Sequence, residues 1–250
     1  MAGPSIDALG QFRLTSGLGP IGQAVNFTNS NEMMLVAIAI VTVLFAVALR
    51  RRAIVPGRMQ SLVETLYEFV HGMCLDTIGE EGRKFFPLVF TLFVFILLGN
   101  LLGLFPYFFA YTSGIVVTLT MALFVFLFST AVGFYIHGFR FLKFFVPDGV
   151  PGWMLPMLVP IEIISYLSRP VSLSVRLFAN MTAGHVMLEV FAGFMILLTA
   201  GLGVFGVVAS IIPLGLNIAL FGLELLVACL QAYVFAILTC LYLHDAVHMH

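Results

Sequence analysis

The sequence predicts an all-α protein that crosses a membrane several times, with about five to six helices. Of its 250 residues, 61% are hydrophobic and only 9% are charged, whereas soluble domains carry about 25% charged residues. Several segments also approach the roughly 20 apolar residues that a transmembrane helix needs. We therefore expect a single membrane domain over residues 31–250, preceded by a polar N-terminal tail over residues 1–30.

The apolar segments predict the order of the helices. Three spans come first, over residues 33–49, 85–105 and 115–136. Between the first two, residues 59–78 place apolar and acidic side chains at helical spacing, which is typical of an amphipathic helix lying at the membrane interface. The chain is then apolar over 153–199 and again over 204–243, with the glycine-rich run 201–206 between them. This pattern predicts a C-terminal helical hairpin.

The hairpin helices are too long to stand upright in a bilayer. A continuous helix over residues 156–199 would be about 66 Å long, because each residue adds about 1.5 Å. The hydrocarbon core of a bilayer is only about 30 Å thick. We therefore expect these helices to be steeply tilted or broken.

The basic residues predict the orientation of the chain. Eight of the eleven fall on one side of this topology: Arg50, Arg51, Arg52, Arg58, Arg83, Lys84, Arg140 and Lys143. By the positive-inside rule, that side is cytoplasmic, with the N-terminal tail outside and the C-terminus in the cytoplasm. Arg13 lies in the tail, so only Arg169 and Arg176 fall within the apolar C-terminal half.

Two rows of polar residues follow the predicted hairpin helices. At 100° per residue, one face of the first helix carries Glu162, Ser165, Arg169, Ser172, Arg176 and Asn180, all within about 40° of one line. The second helix carries Asn217, Glu224 and Gln231 at intervals of seven residues. Polar groups inside a membrane are rare unless they line a cavity or an ion path. The hairpin could bring the two rows together.

A simpler interpretation is that such groups only hold helices together by hydrogen bonds. That interpretation suits Ser165 and Ser172, but packing alone would use smaller neutral groups than Glu162, Arg176 and Glu224. Arg176 is the costliest of these, because a charge at the centre of a membrane helix costs about 2.5–3.5 kcal/mol on insertion scales. Glu162, the acid on the same line, is about four turns away, too far for a direct pair. We expect the partner of Arg176 to be a carboxylate on another, moving protein.

His185 lies nine residues beyond Arg176 and so points to the opposite face of the same helix. Imidazole titrates near neutrality and suits a proton relay, and Glu224 could pair with it across the hairpin. Glu189, four residues further on, belongs to the same group. A hydrogen-bonded packing histidine is the alternative. Asn100 is a further polar residue within a span, although its flanking glycines also fit close helix packing.

Several kinds of site are not supported by the sequence. The three cysteines are widely spaced and form no pair or cluster typical of a disulfide framework or a zinc site. No basic patch with interleaved aromatic residues is present, so nucleic-acid binding is not supported. We expect neither a metal nor a cofactor.

At the polar residues of the hairpin, the chain resembles subunit a of the F-type ATP synthase, of the bacterial type. Residues 169–184 (RPVSLSVRLFANMTAG) are similar to that family's signature. Residues 99–106 (GNLLGLFP) and 230–235 (LQAYVF) fit its other motifs. The resemblance extends over roughly residues 30–245.

The resemblance implies roles for individual residues. Arg176 matches the family's essential arginine, which faces the carboxylates of the rotating c-ring. Asn180 and Gln231 match the polar neighbours of that arginine. Other matches lie along the proton path, with Glu162 and Ser172 towards the cytoplasm and Asn100 in the outer half-channel.

Two positions depart from the family's pattern. Some members have an acid where this chain has His185 and a histidine where it has Glu224, so the exchange preserves an acid–imidazole pair. Gly103 stands where some members carry an acid, and it therefore receives no proton role.

The resemblance implies a proton-translocating stator subunit of the bacterial inner membrane. Such a subunit forms two half-channels against the c-ring and couples proton flow to rotation and ATP synthesis, without being catalytic itself. The implied partners are the c-ring subunits, subunit b of the peripheral stalk, the rest of the complex and membrane lipid. The outer path is assigned Asn100, His185, Glu189 and Glu224, the cytoplasmic path is assigned Glu162, Ser165 and Ser172, and Asn217 joins the same set of path residues.

Two alternatives from other classes remain. One is an ion-coupled secondary transporter in which Arg176 binds an anionic substrate; inverted repeats and matching broken helices would favour it, and the sequence shows neither. The other is a structural membrane subunit without an ion path.

Overall fold

The computed structural model describes residues 28–50, 56–105, 108–146 and 154–248. Within these ranges the chain is almost entirely helical, so the predicted all-α fold is confirmed. The α-helices are α1 (Asn29–Leu49), α2 (Arg58–Ile78), α3 (Phe86–Gly103), α4 (Ile115–His137), α5 (Leu155–Leu202), α6 (Val204–Ala209) and α7 (Ile211–Val247). Short 3₁₀ segments cover Glu80–Lys84, Tyr111–Ser113 and Gly138–Phe145. Most of the predicted N-terminal tail lies outside the described residues.

Five stretches of the described chain are long and apolar enough to cross a membrane. They are Asn29–Ala48, Phe86–Gly103, Ile115–Phe141, Leu155–Leu202 and Val204–Val247. The last of these joins α6 and α7. The protein is therefore a multi-pass membrane protein.

Helix α2 is amphipathic, as the sequence predicts. It buries Val63, Val70 and Cys74, while the acidic side chains of Glu64 and Glu68 are exposed. At its C-terminus, Gly79 donates its N–H to the carbonyl of Leu75. The φ of Gly79 is 87°, a positive value that favours glycine at the end of a helix. Cys74 also contacts Cys240 of α7, with 3.6 Å between the two sulfur atoms.

Helix α5 is the longest element, with 48 residues, and at about 1.5 Å per residue it is about 72 Å long. It contains Pro160 and Pro170, each of which removes one backbone hydrogen bond. Membrane helices tolerate such residues, because side chains and local adjustments satisfy the freed carbonyl groups. The length agrees with a helix that cannot stand upright in a bilayer.

The turn after α5 depends on two glycines. Gly203 adopts a φ of 57°, in the left-handed region that glycine occupies without strain. A Cβ atom on Gly206 would collide with the carbonyl of Leu198. These glycines let α6 fold back against the end of α5, and α7 then follows.

Contacts between Cα atoms divide the chain into two interleaved units. The first unit takes its described residues from 1–41, 95–114 and 177–231, and the second from 42–94, 115–176 and 232–250. Both units therefore take part of α1, α3, α5 and α7. The single membrane domain over 31–250 stays a prediction.

In the first unit, the residues around Tyr111 hold the loop between α3 and α4. The Tyr111 hydroxyl donates a hydrogen bond of 2.7 Å to the carbonyl of Phe95, and its ring lies against Gly99 of α3. Burial raises the pKa of the Tyr111 hydroxyl well above its ordinary value, so the group stays a donor. Next to Gly99, the fully buried Asn100 donates its Nδ2–H to the carbonyl of Ala228 at 3.0 Å.

Replacing Gly99 by alanine is expected to destabilise the protein by about 1–3 kcal/mol, because the added methyl group collides with the Tyr111 ring. The matched control is Tyr111→Phe, which loses only the bond to Phe95 and should cost about 1 kcal/mol. Thermal unfolding of the detergent-purified protein measures both variants. A Gly99→Ala variant as stable as the parent chain would contradict the close contact between Gly99 and the Tyr111 ring.

In the second unit, two side-chain hydrogen bonds join α4 to α5. The hydroxyls of Thr118 and Ser174 lie 3.1 Å apart, and those of Thr130 and Tyr166 lie 2.7 Å apart. Hydroxyl pairs of this kind hold membrane helices together. They fix the part of α5 that carries Arg169 and Arg176.

Candidate functional site

Arg176 lies near the middle of α5, and its side chain is exposed. The surface around it is apolar, since Val171 and Val175 are also exposed, at 53% and 44%. No carboxylate of the described ranges forms an ion pair with Arg176. The charge of Arg176 is therefore not paired with a carboxylate of the described residues.

The rest of the Arg176 row also lies mainly at the surface. Ser165, Ser172 and Asn180 are exposed, and Glu162 is half-buried. Arg169 differs from them, because its guanidinium pairs with the carboxylate of Asp245 at 2.9 Å. No sequence pattern singled out Asp245 as the partner of Arg169.

His185 and Glu224 form a buried pair in the first unit. The Nδ1 atom of His185 lies 3.3 Å from Oε1 of Glu224, and the two residues are only 7% and 5% exposed. The predicted pairing across the hairpin is therefore confirmed. That the two polar rows come together stays a prediction. The arrangement suits proton exchange between a carboxyl group and an imidazole.

Two glycines leave room for this pair. A Cβ atom on Gly184 would lie 2.7 Å from Oε1 of Glu224, and one on Gly103 would lie 3.3 Å from Nε2 of His185. The Gly103 position is also crowded by Ala110, whose Cβ would be 2.6 Å away. A side chain at position 184 would therefore displace Glu224, whereas one at position 103 would first collide with Ala110.

An open cavity of about 780 Å³ lies beside His185 in the first unit. Its polar lining consists of Asn29, His185, Glu189 and Asn217, and aromatic rings including Phe105, Phe108 and Phe221 supply much of the rest. The structure thus brings Glu189 and Asn217 to the same space as His185. Asn100 does not line this cavity, because it is fully buried and bonded to the carbonyl of Ala228.

Several buried polar atoms of the first unit have no hydrogen-bond partner within the described chain. They are Asn100 Oδ1, Thr112 Oγ1, Thr182 Oγ1, Asn217 Oδ1 and both carboxyl oxygens of Glu224, whose 3.3 Å contact with His185 lacks the geometry of a hydrogen bond. Such groups are costly to bury and are usually satisfied by internal water. Gln231 is also buried in this unit. Sequence reasoning missed Thr112 and Thr182, because threonine is common in membrane helices and its burial cannot be read from spacing.

The chain matches the family model described as ATP synthase A chain over residues 32–244. A protein named ATP synthase subunit a from Acidiphilium cryptum is 74% identical over 245 residues, which cover 98% of each chain. Its namesake from Granulibacter bethesdensis is 63% identical over 249 residues, covering 100% of this chain and 99% of the relative. The namesake from Gluconobacter oxydans is 58% identical over 246 residues, covering 98% of each. The chain therefore belongs to the ATP synthase A chain family.

Proposed function

We propose that this chain is the proton-translocating stator subunit of a bacterial F-type ATP synthase. The observation that carries the proposal is the exposed Arg176 side chain, which lies mid-helix on an apolar surface and pairs with no described carboxylate of its own chain. A charge in that place needs a partner outside the chain. The c-ring, with its moving carboxylates, supplies one.

Electrostatics explains how Arg176 acts on a rotor carboxylate. The carboxyl group travels through lipid in its protonated form, because the ionised form is expensive to move there. When it reaches Arg176, the guanidinium stabilises the ionised form and the proton leaves. The fixed charge also keeps protons from passing directly between the two half-channels. Each proton that crosses 100 mV releases about 2.3 kcal/mol, which becomes rotation of the ring.

The remaining site residues divide between the two half-channels. The outer path uses the cavity with His185, Glu189 and Asn217, continues to Glu224, and includes Asn100. The cytoplasmic path follows Glu162, Ser165 and Ser172 along α5. Asn180 and Gln231 match the polar neighbours of the essential arginine in the family. This assignment agrees with an N-terminus outside the cell and a C-terminus in the cytoplasm.

Partners and location follow from the same proposal. The chain resides in the bacterial inner membrane, contacts the c-ring, is held by subunit b of the peripheral stalk, and acts in ATP synthesis without being a catalytic subunit. Its exposed apolar side chains, such as Val175, Leu223 and Leu226, suit contact with lipid and with membrane helices of other subunits.

Co-purification tests this proposal. The affinity-tagged chain, extracted from bacterial membranes in mild detergent, should carry with it an oligomer of small two-helix subunits and an ATPase. A tagged multi-pass transporter from the same membranes serves as the control. Purification of the chain alone, together with saturable uptake of an organic anion by vesicles that contain it, would instead support a secondary transporter.

A further inference from the structure

Arg169 and Asp245 form a partly buried ion pair in the second unit. The Nη1 atom of Arg169 lies 2.9 Å from Oδ2 of Asp245, and the two side chains are 24% and 36% exposed. The guanidinium carbon also lies 5.2 Å from the centre of the Tyr166 ring and 5.5 Å from that of Tyr242. Aromatic rings at this distance attract a cation. The guanidinium is therefore held from both α5 and α7.

Neighbouring contacts fix both partners of this pair. The Tyr166 hydroxyl lies 2.7 Å from the Thr130 hydroxyl, which orients the ring beside Arg169. A ring nitrogen of His137 lies 3.0 Å from the carbonyl of Val247, which ties the end of α7 to the end of α4. Asp245 is thus brought to α5 by the C-terminal turn of α7.

Arg169 lies on the Arg176 row, seven residues earlier and between Ser165 and Ser172. At about 1.5 Å per residue, the two arginines are about 10.5 Å apart along the helix. An uncompensated second cation here would repel protons from the row and add to the field of Arg176. With an effective dielectric constant between about 20 and 80, that repulsion corresponds to roughly a two- to fifteenfold change in local proton occupancy.

We propose that Asp245 is a charge-compensating residue of the cytoplasmic proton path. It cancels the charge of Arg169, so that Arg176 remains the uncompensated cation of the row. This inference rests on the proposed stator function. It adds to that function the carboxylate of Asp245, which lies on α7 and is not part of the polar row on α5. Asp245 acts through Arg169 and is a positioning residue, not a proton carrier.

Other groups that face Asp245 must be held constant in a test. The Nδ1 atom of His244 lies 3.8 Å from Oδ1 of Asp245, and the His244 ring is stacked on that of His248. Tyr166 and Tyr242 flank Arg169, and His137 is bonded nearby at Val247. All variants keep these neighbours and are measured at one pH and salt concentration, so the designed charge difference between them lies at residues 169 and 245.

Charge neutralisation of each partner, alone and together, tests the proposal. ATP-driven proton pumping is measured in inverted membrane vesicles, per assembled complex, for Asp245→Asn, Arg169→Gln and the double variant. In this direction protons enter through the cytoplasmic path. Asp245→Asn should pump about two- to fifteenfold more slowly, Arg169→Gln should be less affected, and the double variant should recover to within about twofold of the parent. High salt should reduce the deficit of Asp245→Asn.

The pattern separates charge compensation from a purely structural bridge. If the pair only holds α7 to α5, both single variants lose activity equally and the double variant is no better, which overturns the proposal. Parent-like pumping by Asp245→Asn also overturns it. If Asp245→Asn alone fails to assemble, the double variant decides, since recovered pumping supports compensation and lost assembly or pumping refutes it. None of these outcomes bears on the stator function, which depends on Arg176.

Discussion

Replacement of Arg176 by alanine is expected to abolish ATP-driven proton pumping, with a loss of at least about a hundredfold. In the proposed mechanism, Arg176 supplies the charge that stabilises the ionised rotor carboxylate. Removal of one preorganised electrostatic stabiliser costs about 2.7–4 kcal/mol, or about a hundred- to a thousandfold in rate. Pumping is measured by the quenching of a pH-sensitive dye in inverted vesicles.

The Arg176 experiment has a matched control and a graded variant. Arg83→Ala removes another arginine, which is exposed and paired with Glu80 at 3.0 Å, outside the spans, and it should pump normally. Arg176→Lys keeps the charge but loses the planar guanidinium group, so it should retain more activity than the alanine variant. Unimpaired, coupled pumping by Arg176→Ala would remove the basis of the stator proposal.

Replacement of Glu224 by glutamine is expected to slow pumping by at least about tenfold, because an amide cannot carry the proton that a carboxyl group exchanges with His185. The shape of the side chain is nearly unchanged, so the tight space beside Gly184 is preserved. Glu64→Gln serves as the control, since Glu64 is an exposed carboxylate of α2 that accepts a hydrogen bond from Gln60. The same dye assay measures both variants.

An exchange of the two residues gives a sharper result. His185→Glu alone places two carboxyl groups side by side, and Glu224→His alone places two imidazoles there. The double variant restores one acid and one imidazole at the 3.3 Å contact, and it should pump faster than either single variant. A double variant worse than both singles would show that the orientation of the pair matters more than its composition.

Helical periodicity was enough to predict much of this protein. The row from Glu162 to Asn180 follows from a repeat of 3.6 residues, and the structure places this row on one continuous helix. The partner of His185 could also be predicted, because residues equally far from the turn meet in an antiparallel hairpin. These features are local or nearly local in sequence, so composition and spacing are sufficient to find them.

The contacts that sequence reasoning missed depend on packing between distant elements. Asp245 meets Arg169 across 76 residues, a separation at which no spacing rule predicts a contact. Asn100 likewise donates to the Ala228 carbonyl over 128 residues. For Arg176, the cost of its charge predicts only a partner on another protein, whereas the structure shows that its side chain is exposed among exposed valines.

The two glycines beside the histidine–carboxylate pair have a consequence for protein engineering. Because Gly103 adjoins His185 and Gly184 adjoins Glu224 within about 3.3 Å, these four positions behave as one steric unit. An acidic side chain introduced at position 103 would meet the Cβ of Ala110 at 2.6 Å and the imidazole of His185 at 3.3 Å. A substitution at any one of these four positions should therefore be designed together with the other three.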